Sequence, residues 1–250
     1  MGARPMSRIE PASKRIAIIG ATSRVGRAVA AEFAELGWSL ELTARDPDRI
    51  ETSHGSSSSG SSVEIRRHAL DLADAAAVDR AVASIGGVAL DAVVVAGAPF
   101  DETSLADATA EDFASHAAAQ VAGPARLVAG LRSSLGRSES PAIVLFGDVH
   151  AWSRPRAGAT PYLVAKAGVE AMVGLLAVEL APVRVFGLSP GVVGWPDGWP
   201  DARREAYLER VPLERAGTPE ETASLVRALV LDATYCTGVV IPIDGGRHLR

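Results

Sequence analysis

Tyr162 and Lys166, in the stretch Thr160-Pro161-Tyr162-Leu163-Val164-Ala165-Lys166, are the residues best placed to do acid–base chemistry in this sequence. Four positions apart on a helix, they share one face. Thr160 suits an N-cap and Pro161 the first helical position, so the helix is expected to start at a fixed point. An ammonium beside a phenol favours the phenolate and lowers the tyrosine pKa from its usual value near ~10. Tyr162 is then expected to give and take a proton near neutrality. The same pair also occurs on ordinary helix surfaces, so its meaning depends on the rest of the chain.

A second constellation is Gly20-Ala21-Thr22-Ser23-Arg24-Val25-Gly26, between an apolar run and an alanine-rich helical stretch. Such a turn sets backbone N–H groups and the positive end of a helix against a pyrophosphate. Arg24 adds a permanent cation beside the phosphates. The next apolar run ends Thr43-Ala44-Arg45-Asp46. Dinucleotide folds that take NAD place a carboxylate near this point, whereas an arginine suits a 2′-phosphate through paired hydrogen bonds. Arg45 therefore points to NADPH, with Asp46 turned to solvent; the alternative is a surface arginine at a strand end.

These residues need elements to hold them. Apolar runs at Arg15–Ile19, Trp38–Ala44, Val63–His68, Ala92–Ala96, Ala142–Phe146, Val183–Leu188 and Val239–Ile243 read as strands. Between them lie helical segments at Val25–Leu36, Ala75–Ile85, Asp107–Leu135 (broken at Gly123-Pro124), Tyr162–Leu180, Asp201–Arg210 and Pro219–Leu231. The alternation predicts an α/β fold: one Rossmann-type, doubly wound domain over residues 14–250, with about seven parallel strands and helices on both faces. Residues 1–13 read as a flexible extension and Thr52–Ser62 as a mobile Ser/Gly loop. Residues from about 192 to 212 read as a substrate loop.

The pattern resembles the short-chain dehydrogenase/reductase family over nearly the whole chain from Lys14 onward. The outer glycines of that family's turn stand at Gly20 and Gly26, and the Tyr-x-x-x-Lys pair at Tyr162 and Lys166. Arg24 within the turn, and Asp148 where the family has a serine, look like the pteridine reductase branch. The resemblance implies an NADPH-dependent reductase passing hydride to a C=N or C=O of a flat substrate. Lys166 would hold the nicotinamide ribose, and Asp148 would hold a proton or a shared water on the substrate side. Asp148 also reads as a loop-capping carboxylate. Gln120 stands where the family has a catalytic asparagine, and a structural role is an equal reading.

The same resemblance places the cofactor against Gly20, Ser23, Arg24, Val25, Arg45, Asp71, Leu72, Ala96, Gly97, Tyr162, Lys166, Pro190 and Gly191. Asp71 alone also reads as a helix cap. The Asn-Asn-Ala-Gly motif of the family is reduced to Val94-Val95-Ala96-Gly97. Phe100 matches the position of an aromatic that stacks on the pterin. Trp152, Trp195 and Trp199 fall in loops at the same sheet end and offer further stacking surfaces; Trp152 and Trp195 are placed with Phe100 at the substrate. Family membership further implies a homotetramer. Two other readings stay open: a ketone or imine reductase of specialised metabolism, and a non-catalytic NADPH-binding regulator.

Composition narrows the classes further. The chain has 250 residues, 48% hydrophobic and 22% charged, with net charge −5 and a single cysteine, Cys236. An intrachain disulfide scaffold is excluded, and mild acidity without a basic block disfavours nucleic acid as a partner. No metal-ligand set is read. No signal peptide and no run approaching the ~20 apolar residues of a membrane span are expected, so a cytoplasmic protein acting on a small molecule is the default.

Overall fold

The computed structural model describes residues 14–51, 63–196 and 198–250. The extension at residues 1–13 and the Ser/Gly loop at Thr52–Ser62 lie outside the described residues. Seven strands form one parallel sheet: β1 (Arg15–Ile19), β2 (Ser39–Ala44), β3 (Ile65–Ala69), β4 (Ala92–Val95), β5 (Ala142–Phe146), β6 (Arg184–Pro190) and β7 (Val239–Ile243). Their order is β3-β2-β1-β4-β5-β6-β7. The central strands are buried on both faces and need continuous apolar sequence, which is why they stand out in the chain. The edges carry what a central strand could not. β3 holds Arg66 and Arg67, and β7 holds Pro242, whose missing N–H is tolerated at an edge.

Helices α1 (Arg24–Glu35) and α9 (Pro219–Leu231) cover one face. The apolar side chains there include Val29, Phe33, Val226 and Leu229, packed on Ile16, Ile18, Leu40 and Phe186. The other face is covered by α2 (Ala75–Ile85), α4 (Gly123–Gly130) and α7 (Thr160–Glu179), through Val78, Leu127, Val169 and Val173. Because the strand order reverses between β1 and β4, a crevice opens beyond their carboxyl ends. The glycine turn sits at that switch point.

Three expectations are corrected. The helix at residues 107–135 does not break at Gly123-Pro124. It comprises α3 (Ala110–Ala117), a π-helical turn (Ala118–Ala122), α4 and the short α5 (Arg132–Leu135). Pro124 is the second residue of α4, which follows the π-helical turn directly. Gly123 is needed because a Cβ there would lie 2.0 Å from the Leu72 carbonyl oxygen. Thr160 is not the cap of α7: Ala159 is the N-cap residue, without a side-chain bond, and Thr160 is the first helical residue. Finally, α7 is a 20-residue helix with a stretch of mean hydropathy 1.5, long and apolar enough to cross a membrane by composition. In the fold it lies against the sheet, its buried side chains including Val169, Met172 and Val173.

Candidate active site

The glycine turn owes its shape to Gly20, whose φ is +87 and whose Cβ, if present, would fall 2.3 Å from Gly97 Cα. That approach brings the turn after β1 against the turn after β4. Ser23 then caps α1, accepting from Gly26 N at 2.9 Å and donating to Ala96 O at 3.2 Å. The Ser23 hydroxyl is thus spent on structure. The N–H groups of Arg24 and Val25 open the helix and have no intrahelical partner by geometry. Together with Ala96 they line a cavity of about 920 Å³ that continues past Asp148 and Tyr162 to Pro190 and Gly191. The Arg24 guanidinium crosses it to donate to the Trp195 carbonyl.

At the adenosine end, Arg45 is exposed at the close of β2, and Asp46 caps the following 3₁₀ turn Pro47–Arg49 by accepting from Asp48 N. Asp71 is exposed and accepts from Ala73 N at 2.9 Å; the cap of α2 is Asp74. Leu72 is half-buried, its carbonyl facing Gly123. Arg45, Asp71 and Leu72 do not line the large cavity.

The reactive end is built by β5, α7 and a short helix, α6 (Val149–Trp152). Asp148 follows β5 and does two things at once. Its Oδ1 caps α6 by accepting from His150 N at 2.8 Å, and its Oδ2 accepts from the Tyr162 hydroxyl at 3.0 Å. One side chain thus both caps α6 and contacts the Tyr162 hydroxyl. Behind them the buried Lys166 donates from Nζ to Phe146 O at 2.7 Å and sits 5.7 Å from the Tyr162 ring centre. Burial pushes its pKa down to about 8, against the pull of Asp148 and Glu170.

The expected lowering of the tyrosine pKa is reversed. Burial, then the Asp148 charge and the hydrogen bond to it, hold the Tyr162 phenol well above its ordinary value. The reason is geometric: the group in hydrogen-bond contact with Oη is a carboxylate, while the ammonium is turned to a main-chain carbonyl. Glu170, one helical turn beyond Lys166, supports the loop by accepting from Asp148 N at 3.3 Å and from the Ser189 hydroxyl. Burial raises its pKa. Its i+4 spacing from Lys166 was the available sequence signal.

Gln120 lies in the π-helical turn, only 2% exposed. His116 bonds Asp101 Oδ2 through Nε2 at 2.7 Å, so a singly protonated ring leaves Nδ1 to accept from Gln120 Nε2 at 2.8 Å. The amide is thereby fixed. Its Oε1 is buried with no protein partner, and Gln120 shares with Lys166, Phe146 and Gly97 a small cavity of about 20 Å³, room for one water. Asp101 and His116 are functional candidates that the sequence did not single out.

On the substrate side Phe100 is 54% exposed, lines the large cavity and meets Tyr162 edge-on at 5.0 Å. Trp152 and Trp195 are not in the described lining of that cavity. Trp152, 49% exposed, leans on His248 outside the cavity, because α6 turns it away. Trp195 packs behind Trp199 and Tyr207, and it is Trp199 that lines the wall, with the Arg203 guanidinium 4.0 Å from its ring centre. Tyr207, unforeseen, also lines it and accepts from Val192 N at 3.0 Å.

A seven-stranded parallel sheet with a glycine turn at its switch point and a Tyr-Lys pair on the far side defines a nucleotide-binding oxidoreductase class. A family model described as enoyl-(acyl carrier protein) reductase matches residues 20–248. A putative ketoacyl reductase of the granaticin polyketide synthase, from Streptomyces violaceoruber, is 32% identical over 93% of this chain and 95% of its own. Pteridine reductase 1 of Leishmania tarentolae is 37% identical over 60% of this chain and 53% of its own. Among solved structures, the L-sorbose reductase of Gluconobacter frateurii, complexed with NADPH and L-sorbose, superposes with a TM-score of 0.84 at 26% identity, over 94% of this chain and 96% of that one. The chain belongs to the short-chain dehydrogenase/reductase family, whose members are nicotinamide-dependent oxidoreductases.

Proposed function

We propose that the protein is an NADPH-dependent reductase acting on a C=N or C=O bond of a flat, heterocyclic substrate, in the manner of pteridine reductases. The observation that carries this is the direct Tyr162–Asp148 hydrogen bond at the mouth of a cavity walled by Phe100. A carboxyl group, far more acidic than a serine hydroxyl, can take up a proton from solvent and deliver it to a ring nitrogen.

The phosphate-turn end of the cavity, with Arg45 outside its lining, offers contacts that a dinucleotide would use. The free N–H groups at the start of α1, the backbone approach of Gly20 to Gly97, and the exposed Arg45 offer partners for pyrophosphate and 2′-phosphate. Pro190 and Gly191 line the same cavity as Tyr162, and the family resemblance assigns them to the carboxamide. When bound, the nicotinamide supplies hydride. The protein orients and protonates. Tyr162 Oη passes its proton to the substrate atom that gains charge, and the phenolate is reprotonated from solvent by way of the Asp148 carboxyl across the 3.0 Å contact. Lys166 keeps a positive charge beside the phenol and presents it to the ribose. Gln120 Oε1 steadies a water next to Lys166.

The likeness to a polyketide ketoacyl reductase over almost the whole chain favours a ketone or imine reductase of specialised metabolism as the second reading. Turnover of dihydropteridines against cyclic imines and ketones separates the two. Cofactor choice is tested at Arg45. Arg45→Asp is expected to weaken NADPH by about tenfold or more, through loss of charge-assisted bonds to phosphate, while sparing NADH. Equal effects on both cofactors, measured by fluorescence titration, would refute the NADPH assignment.

A further inference from the structure

The large cavity carries a charge pattern that reduction of a neutral ring does not require. Among the described residues seven arginines line it, and Asp148 is the one side-chain carboxylate of that lining. This holds in a chain whose net charge is −5, so the positive charge is local. Arg24 belongs to the phosphate turn. The other six, Arg154, Arg156, Arg203, Arg210, Arg247 and Arg250, come from the loop after α6, from the region of α8 (Asp201–Leu208) and from the turn after β7. These segments follow β5, β6 and β7, on the opposite side of β4 from the adenosine end at β2. Among the described residues, the ion pairs these six make are those of Arg156 and Arg203 with a single carboxylate, Glu102, at 3.0 and 2.8 Å.

Two of the six are held in ways that are costly without a partner. Arg247 is 7% exposed and its Nε is buried with no hydrogen bond; Nη1 reaches the Arg250 carbonyl at 2.9 Å, and the guanidinium lies 5.3 Å from the Tyr207 ring centre. Asp244, the carboxylate nearest in sequence, is occupied by Gly246 N, His248 N and His248 Nδ1. The buried Nε–H of this cation is left without a partner, which is unfavourable unless a ligand supplies one. Arg154 has φ +54, a left-handed backbone that side chains other than glycine rarely adopt, and His150 Nδ1 reaches its carbonyl at 2.9 Å. Strain of this kind gathers at ligand clamps.

We infer that the substrate is an anion: a flat carbonyl or imine compound bearing a carboxylate or phosphate, its charged group met by Arg154, Arg210 and Arg247 and its reducible bond at Tyr162. The reducible bond rests on the reductase reading above; the anion does not. Guanidinium forks bind carboxylate and phosphate alike, through paired charge-assisted bonds.

The test is calorimetric titration of the NADP⁺-saturated protein, so that anions cannot occupy the phosphate turn, with isophthalate, phenyl phosphate and the neutral isophthalamide. Both anions are expected to bind about tenfold or more tightly than the amide, less so as salt is raised. The tighter anion names the head group. Arg154→Gln/Arg210→Gln, both exposed positions, is expected to lose about tenfold of that affinity with an unchanged melting curve. Arg247→Gln, also checked by melting, should lose at least as much. Isophthalamide binding as well as the anions, or anions binding parent and variants alike, would overturn the inference. NADPH oxidation with a dihydropteridine and cyclic imines is followed in parallel. Anion binding with no turnover of any compound supports the anion site and sinks the reductase reading, whereas turnover without anion preference sinks the anion site alone.

Discussion

Tyr162→Phe is expected to cut turnover by about 10²–10⁴-fold, the usual contribution of a general acid, while NADPH binds as before. Only one hydroxyl is removed, and the ring keeps its edge contact with Phe100 and its place over Lys166. Lys166→Met is the informative contrast. It removes the ammonium that Phe146 O accepts from, and with it the charge presented to the ribose. Turnover and NADPH affinity should therefore fall together. Steady-state rates and cofactor titrations on the two variants check both statements. Full activity in Tyr162→Phe would move the proton-donor role to Asp148.

The second large effect is at Asp148. Asp148→Asn keeps an oxygen for the cap of α6 but removes the negative charge and, with it, the group that can take up and pass on a proton. Turnover is expected to fall about 10²-fold, within the range for lost acid catalysis, with cofactor affinity unchanged. The same substitution has a spectroscopic signature. With the Asp148 charge gone, one of the three causes that hold the Tyr162 phenol up is removed and another is weakened. Ultraviolet titration of phenolate should then find one tyrosine ionising at lower pH than in the parent. A titration curve that does not move, with full turnover, would reduce Asp148 to a helix cap.

Much of this was legible from the residues. Strands such as Ala142–Phe146 are short apolar runs because both sheet faces are covered, and Pro219–Leu231 is marked by Thr218 and a proline at its first position. The shared helix face of Tyr162 and Lys166 was legible from their spacing, and the place of Asp148 beside Tyr162 from the family resemblance. What escaped is set by contacts between distant parts of the chain. The phenol's acidity depends on which group touches Oη, and helical spacing gives the ammonium's side but not its hydrogen-bond partner. The π-helical turn has no composition of its own. It lies where Gly123 meets the Leu72 carbonyl and Gln120 pairs with His116. The arginines of the cavity are dispersed from Arg24 to Arg250, and only the strand order brings them together. Trp152 and Trp195 show the converse. Loop membership at the right sheet end does not fix which way a ring turns.

The central claim is hydride transfer from NADPH onto a C=N or C=O bond, with protonation from the Tyr162–Asp148 unit. Its most direct test is incubation with NADPH deuterated at the nicotinamide C4, with dihydropteridines, cyclic imines and ketones, neutral and anionic, as acceptors, and mass analysis of the products. One deuterium is expected on the reduced carbon in the parent enzyme, with the transfer nearly abolished in Tyr162→Phe although that variant still binds the cofactor. Tight NADPH binding with no deuterium delivered to any acceptor would contradict the account and leave a nucleotide-binding protein without catalysis.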